Sequence, residues 1–194
     1  MDAEKMVPIE SPRLLVRRLR DADRDALVAY HNDPEVARYQ TWEGMTEAEG
    51  RAFIATYKLK PFDLPGHWGA YAVELKRTGE LIGDLAFRLD RDSTRQGEIG
   101  FTFARAHQGH GFATEAVIAL LDRAFVLFDL HRVVAVTDCK NRRCIALLER
   151  LGLRREAHFV ENVWFKGKWG DEYLYALLRR EWGGGRLTKI EKQS

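Results

Sequence analysis

Between Arg13 and Arg18 the apolar residues Leu14 and Val16 alternate with polar neighbours, a period of two that predicts an opening strand. Asp21 offers an N-cap to a helix running to about Tyr30, and Asn32-Asp33-Pro34 predicts the turn that ends it. Thr46 followed by Glu49 has capping-box spacing, with Phe53, Ile54 and Tyr57 as the apolar stripe behind it. The period then changes. Trp68 to Leu75 and Leu81 to Phe87 read as strands joined by a loop that contains Gly79, and Asp90 to Ser93 lead into a third strand, Gly97 to Phe103. From Gly111 to Phe128, the apolar set Val117, Leu120, Leu121, Ala124, Phe125 and Phe128 has helical spacing. The unbroken run Val133 to Val136, inside a strand Arg132 to Thr137, predicts burial on both faces. A second amphipathic helix spans Asn141 to Leu151 and stops near Gly152; strands Leu153 to Trp164, with room for an interruption, and Tyr173 to Arg179 follow.

Strand, helix and strand from Gly97 to Thr137 form one crossover unit, which makes those two strands parallel. The expected class is α/β: a single-domain, mixed, mostly antiparallel sheet with one parallel crossover pair and about four flanking helices.

A chain of 194 residues fits one domain. Its 31 Lys and Arg against 29 Asp and Glu give +2, and the last twelve residues hold three bases and one acid, so residues 1–182 sum to zero. A folded unit without net charge does not suit sequence-independent nucleic-acid binding. The Gly183-Gly184-Gly185 run marks residues 183–194 as a basic tail, expected to be disordered, beyond a domain of residues 1–182. No apolar run approaches the ~20 residues of a membrane span, and the N-terminus lacks a secretory pattern. Cys139 and Cys144 alone make no disulfide framework, which points to reduced thiols in a cytoplasm. No metal is expected: neither the cysteine pair nor His107 with His110 has the further ligands a site needs.

The informative segment is Gln108-Gly109-His110-Gly111-Phe112-Ala113, between a strand and a helix. Glycines free the backbone amides, and a helix start directs its unpaired N–H groups and positive dipole end at an anion. Phosphate recognition is one reading; a turn that needs glycine only for its shape is the other. A nucleotide P-loop fails, because no Gly-Lys-Ser/Thr opens the helix. A dinucleotide fingerprint has Thr114 where its third glycine belongs and lacks the repeated strand–helix units it should open, although Asp138 ends the next strand. The third option is the pyrophosphate of coenzyme A.

Gln108-x-x-Gly111-x-Ala113 resembles the acyl-CoA signature of the GNAT superfamily of N-acyltransferases, and the likeness extends from about Ser11 to Trp182. Blocks in matching order are ESPRLLVRRLRDAD, GELIGDLAF, EIGFTF, CKNRRCIALLERLGLRREA and GKWGDEYLYALLRREW. They look most like the RimJ/RimL branch, which acetylates ribosomal-protein N-termini. The resemblance implies the GNAT fold, with the parallel pair splayed at the CoA site, and acetyl-CoA as co-substrate. It also implies backbone pairing of the pantetheine arm by Phe103 and Ala104, with Arg105 beside them. The amides of Gln108, Gly109, His110, Gly111, Phe112 and Ala113, together with the Thr114 hydroxyl, would hold the pyrophosphate, and Asn141 would position the cofactor. Asn141 would equally serve as a helix N-cap without any ligand.

The chemistry so implied is attack of a neutral amine on a thioester. Glu98 matches an acid common in this branch and is the expected base, with an ion pair to Arg88 or Arg95 as the competing role. Many superfamily members use a tyrosine as general acid; Leu148 stands there and cannot donate. Cys144 occupies a position where this branch often has serine, so its thiol is the candidate acid, or else a small packing residue. Tyr39, Trp42, Glu43 and Trp164 are the expected acceptor contacts. The acceptor would be a primary amine, on a small molecule or a protein N-terminus, with neither nucleic acid nor membrane as partner. A homodimer is compatible with the family. A CoA-binding module without catalysis, or an enzyme using a larger acyl-CoA such as succinyl-CoA, are the competing functions.

Overall fold

The computed structural model describes residues 6–59 and 64–183. Of the expected tail, all but Gly183 lies outside the described residues. Strand β1 (Ile9–Glu10) pairs with β2 (Leu14–Arg17), and a single-turn helix at Asp21–Asp23 leads into α1 (Arg24–His31). Helices α2 (Pro34–Ala37) and α3 (Glu47–Tyr57) precede the meander β3 (Gly69–Leu75), β4 (Glu80–Leu89) and β5 (Gln96–Phe103). Then come α4 (Phe112–Leu127), β6 (Arg132–Asp138), α5 (Arg142–Arg150), β7 (Arg154–Phe165) and β8 (Lys168–Leu178).

Among the described residues, eight strands form one sheet in the order β1-β2-β3-β4-β5-β6-β8-β7, antiparallel throughout except for β5 with β6. On one face, α4 buries Val117, Leu120, Leu121 and Phe125 in a core with Leu85, Phe87, Ile99 and Val133. On the other, Leu27 and Tyr30 of α1 and Ile54 of α3 cover Ala70 and Ala72 of β3 and Leu81 of β4.

The departures from the sequence pattern have local causes. Asp21 does not cap α1. It opens the single turn, while the Asp23 carboxylate accepts the Arg20 amide at 2.6 Å and sits in the arms of Arg17. Asn32-Asp33-Pro34 ends α1 as expected, but Asp33 then caps α2 by accepting the Glu35 amide, with Pro34 in the first helical position. This short helix raises the count to five among the described residues. Thr46 and Glu49 form the reciprocal capping box at the start of α3. Strand β8 begins at Lys168 rather than Tyr173, because Gly167 at φ 79° turns the chain directly from β7. The expectation of burial on both faces fails for β6: Val136 is 37% exposed. Its partner strand has already left.

Candidate active site

Strands β5 and β6 pair only at Gln96↔Arg132, Gly97↔Val133 and Glu98↔Val134. Beyond that point β5 continues to Phe103 beside β4, while β6 continues to Asp138 beside β8. Two adjacent strands that each keep their outer neighbour but lose one another leave backbone donors and acceptors facing a gap. That gap is a cleft of about 190 Å³. Ile99, Gly100 and Phe101 line it from β5, Ala135 to Asp138 from β6, and Asn141 and Cys144 from the start of α5. Tyr39, Gln40 and Thr41 close it from the segment after α2; Val163, Phe165 and Glu172 do so from the last hairpin.

At the end of β5 the chain passes Ala104 and a single helical turn, Arg105–His107, before the glycine loop. Gly109 at φ 82° and Gly111 at φ 79° use the left-handed backbone that glycine tolerates best. Nothing lies within 4 Å of a Cβ added at Gly109, so conformation rather than crowding requires glycine there. Gly111 caps α4, and the Phe112, Ala113 and Thr114 amides form a first turn with no intrahelical carbonyl to receive them. The Gln108 side chain locks this loop, donating to the Phe103 carbonyl at 2.9 Å and accepting from Arg143 Nη1 at 2.6 Å. Arg13 donates to the His110 carbonyl at 3.0 Å, and Arg150 lies 3.4 Å from the Thr114 hydroxyl. Arg105 pairs with Asp33. Behind the helix start, buried Glu115 accepts from Ser11 Oγ, the Arg13 amide and Arg13 Nε, tying the N-terminal strand to α4.

The charges divide the site. Guanidinium groups of Arg13, Arg143 and Arg150 attend the glycine loop and its helix, whereas the charged residues lining the cleft are the carboxylates Asp138 and Glu172. An anionic chain entering by the loop and a cationic group entering by the other mouth both meet complementary charge.

Asn141 accepts the Cys144 amide at 3.2 Å as the α5 N-cap and also lines the cleft. Burial pushes the Cys144 thiol up to about 11, opposed by a hydrogen bond with Thr137. It therefore stays protonated at neutral pH. Leu148 is fully buried. Glu98 stands at the last paired position of β5, and Arg88 donates to its Oε2 at 2.9 and 2.5 Å. Arg88 in turn packs over Trp68 at 4.6 Å. Both contacts fall on one oxygen, so the Oε1 lone pairs are not used by Arg88.

Of the four expected acceptor residues, Tyr39 lines the cleft and donates to the Lys140 carbonyl at 3.1 Å. Trp42 instead stacks on His31, with centroids 4.2 Å apart, and Glu43 is exposed beside it. Trp164 packs edge-on against Trp169 at the hairpin and is 62% exposed. Strand alternation sends its neighbours Val163 and Phe165 to the cleft instead. Gln40 and Thr41 lie in the segment Arg38 to Glu43 that the sequence offers for the acceptor, whereas sequence reasoning missed Thr137 and Glu172 as lining residues. A period-two reading of β6 and β8 could have placed Thr137 and Glu172, but only knowledge of the splay shows which face matters.

A mixed sheet whose one parallel pair splays beside a glycine loop at a helix start is the architecture that the sequence resemblance implies. A family model described as the acetyltransferase (GNAT) domain matches residues 13–154. The N-acetyltransferase p20 of Bacillus licheniformis is 32% identical over 180 residues, 92% of this chain and all of that protein. The [ribosomal protein uS5]-alanine N-acetyltransferase of Escherichia coli is 26% identical, covering 93% of this chain and 95% of its own. A GNAT-family acetyltransferase from Bacillus anthracis superposes with a TM-score of 0.80 at 30% identity, over 89% of this chain and 99% of its own. The chain belongs to the GNAT acetyltransferases, a family that transfers acetyl groups to amines. Acetyl-CoA as co-substrate agrees with that membership. No described helix is long and apolar enough to cross a membrane.

Proposed function

We propose that this protein transfers the acetyl group of acetyl-CoA to a primary amine by direct attack on the thioester. The observation that carries the reading is the splay of β5 from β6 beside the glycine loop. An extended pantetheine arm would lie in the gap against the backbone of Ile99 to Ala104, with its pyrophosphate on the amides of Gln108 to Ala113 and the Thr114 hydroxyl. Asn141 would hold the arm from the α5 side, and Arg105 and Arg143 would meet the phosphates.

The amine nitrogen forms its bond to the thioester carbon as the carbon–sulfur bond breaks; the thiolate leaves with the electron pair and ends as free thiol with the proton that the nitrogen sheds on becoming an amide. Glu98, through a water on Oε1, would accept the ammonium proton. Cys144 would stabilise the departing thiolate by hydrogen bonding from a thiol that burial keeps protonated. Asp138 and Glu172 favour a cationic acceptor, and Tyr39 forms part of its wall. Trp42, Glu43 and Trp164 do not line the cleft, so an amine bound within it would not depend on them. The ribosomal-protein relative supports an N-terminal amine as the acceptor.

Incubation with acetyl-CoA and butylamine, 1,4-diaminobutane or short peptides with N-terminal Ala or Ser should release free thiol and add an acetyl mass to at least one amine. Binding of acetyl-CoA without turnover of any amine would favour the non-catalytic CoA-binding reading, to which Leu148 and the ion-paired Glu98 lend some support. No thermal shift with acetyl-CoA would end both.

A further inference from the structure

One side chain from the start of the fold spans the glycine loop. Arg13 stands immediately before β2, and its guanidinium touches three consecutive loop residues, the first of them 97 positions further along the chain. Nη1 donates to the His110 carbonyl at 3.0 Å, and Nη2 lies 3.4 Å from where a Cβ on Gly111 would stand. The Cζ sits 4.6 Å over the centre of the Phe112 ring.

The guanidinium is itself held from behind. Arg13 Nε donates to Glu115 Oε2 at 2.6 Å, while the Arg13 amide and Ser11 Oγ donate to Oε1 at 2.8 and 2.7 Å. Glu115 is 1% exposed, and Arg13 is the cation that pairs with it among the described residues. A charge-assisted bond to a buried carboxylate whose oxygens are both engaged restricts an arginine that would otherwise explore many rotamers.

The contact with His110 has a geometric consequence. A trans peptide is planar, with its C=O and N–H pointing in opposite directions. Arg13 draws the His110 carbonyl to itself, so the Gly111 N–H of the same peptide is directed away from Arg13. Gly109 and Gly111, at φ 82° and 79°, flank this peptide, and glycine accepts either sign of φ. Without a clamp the plane is free to turn over. Amides that must converge on one anion then have to be ordered during binding, which weakens it.

We propose that Arg13, anchored by Glu115, is a positioning residue for the pyrophosphate of acetyl-CoA: it fixes the His110–Gly111 peptide plane so that the Gly111 amide is aimed at the anion before the anion arrives. This role rests on the acetyltransferase reading of the cleft and loop. It makes the segment before β2 part of the co-substrate site, although that segment does not line the cleft. The effect belongs to ligands that carry the pyrophosphate and not to the pantetheine arm or the amine.

The test compares wild type with Arg13→Gln and with the double variant Arg13→Gln/Glu115→Gln, which leaves no unpaired buried charge if the single variant folds poorly. Calorimetric titration with CoA should give a Kd weakened about tenfold or more in both, as for one hydrogen bond from a charged donor. In the ligand-free variants, amide hydrogen exchange at residues 109–112 should quicken. The kcat/KM for S-acetylpantetheine, which lacks the pyrophosphate, should be unchanged with the amine of the panel above that is turned over fastest. Ser11→Ala strips one donor from the same carboxylate but leaves the guanidinium on the loop. It should lower the melting temperature without moving the Kd for CoA. An unchanged Kd in the double variant, an equal loss with S-acetylpantetheine, or an equal weakening by Ser11→Ala overturns the role of Arg13 and leaves the acetyltransferase reading intact. Failure of the wild type to bind CoA overturns both.

Discussion

Asp84 shows how one residue can work against the fold that holds it. Its carboxyl is shifted from the ordinary 3.8 up to about 6, chiefly by desolvation. Between these values the native state binds more protons than the unfolded chain, so stability is full below pH 4 and falls as pH rises through 6. The loss is about 3 kcal/mol at most, at 1.36 kcal/mol per pH unit. Asp84→Asn keeps an oxygen for the Tyr30 hydroxyl, which donates to Asp84 Oδ2 at 2.6 Å, while removing the charge. Denaturant unfolding should therefore find the variant more stable than wild type at pH 8, by about 1–3 kcal/mol, with the gap closing near pH 4. His31 runs the opposite way: burial lowers it to about 4, so it withdraws stability as pH falls. It is common to both proteins and cancels in the difference between their curves. An equal or lower stability of the variant at pH 8 would show that the carboxylate has a charge partner. Nothing in GELIGDLAF singles out this aspartate, because the identity of its neighbours depends on strands far away in the chain.

Elements built from short-range signals were legible. The capping box at Thr46 and Glu49, the glycine cap of α4 and the Asn141 cap of α5 all depend on residues within a few positions of one another. Helix α2 was hidden because four residues carry no periodicity, and β1 because two residues carry none. The Asn141 cap joins stability to the site, since the amide it holds belongs to Cys144. Asn141→Ala should cost about 1 kcal/mol. The melting temperature should then fall by roughly 2–4 °C. If Asn141 also holds the pantetheine arm, the KM for acetyl-CoA should rise with it. A fall in melting temperature with that KM unchanged would confine Asn141 to capping.

At the scale of the molecule, the cleft wall is assembled from segments far apart in the chain. Lys166, at the turn between β7 and β8, donates to the Ala37 carbonyl at the end of α2 across 2.8 Å, while Tyr39 reaches the Lys140 carbonyl. These two hydrogen bonds fasten Ala37 and Tyr39 to the last hairpin and to the turn before α5. Lys166→Ala should loosen that wall and raise the KM for the amine about fivefold, the equivalent of about 1 kcal/mol for one hydrogen bond. The KM for acetyl-CoA should not change, because its proposed loop lies at the other mouth. An equal effect on both would mean that the hairpin supports the whole splay.

Local order, meaning the strand and helix periods, the glycine loop, the caps and the crossover that makes β5 and β6 parallel, follows from the sequence because each depends on neighbours within a turn or a pair of strands. Family membership was legible in the same blocks. Tertiary structure alone decided where β5 and β6 part, and so why Val136 is exposed in a run that reads as core. It also decided that Phe165 rather than Trp164 reaches the cleft and that Arg88 takes Glu98. The even charge of residues 1–182 is likewise resolved only in space, into arginines around the glycine loop and the carboxylates Asp138 and Glu172 in the cleft. Strand register converts a sequence position into a side of the sheet and a set of partners. That register is set by the whole sheet rather than by any segment of it.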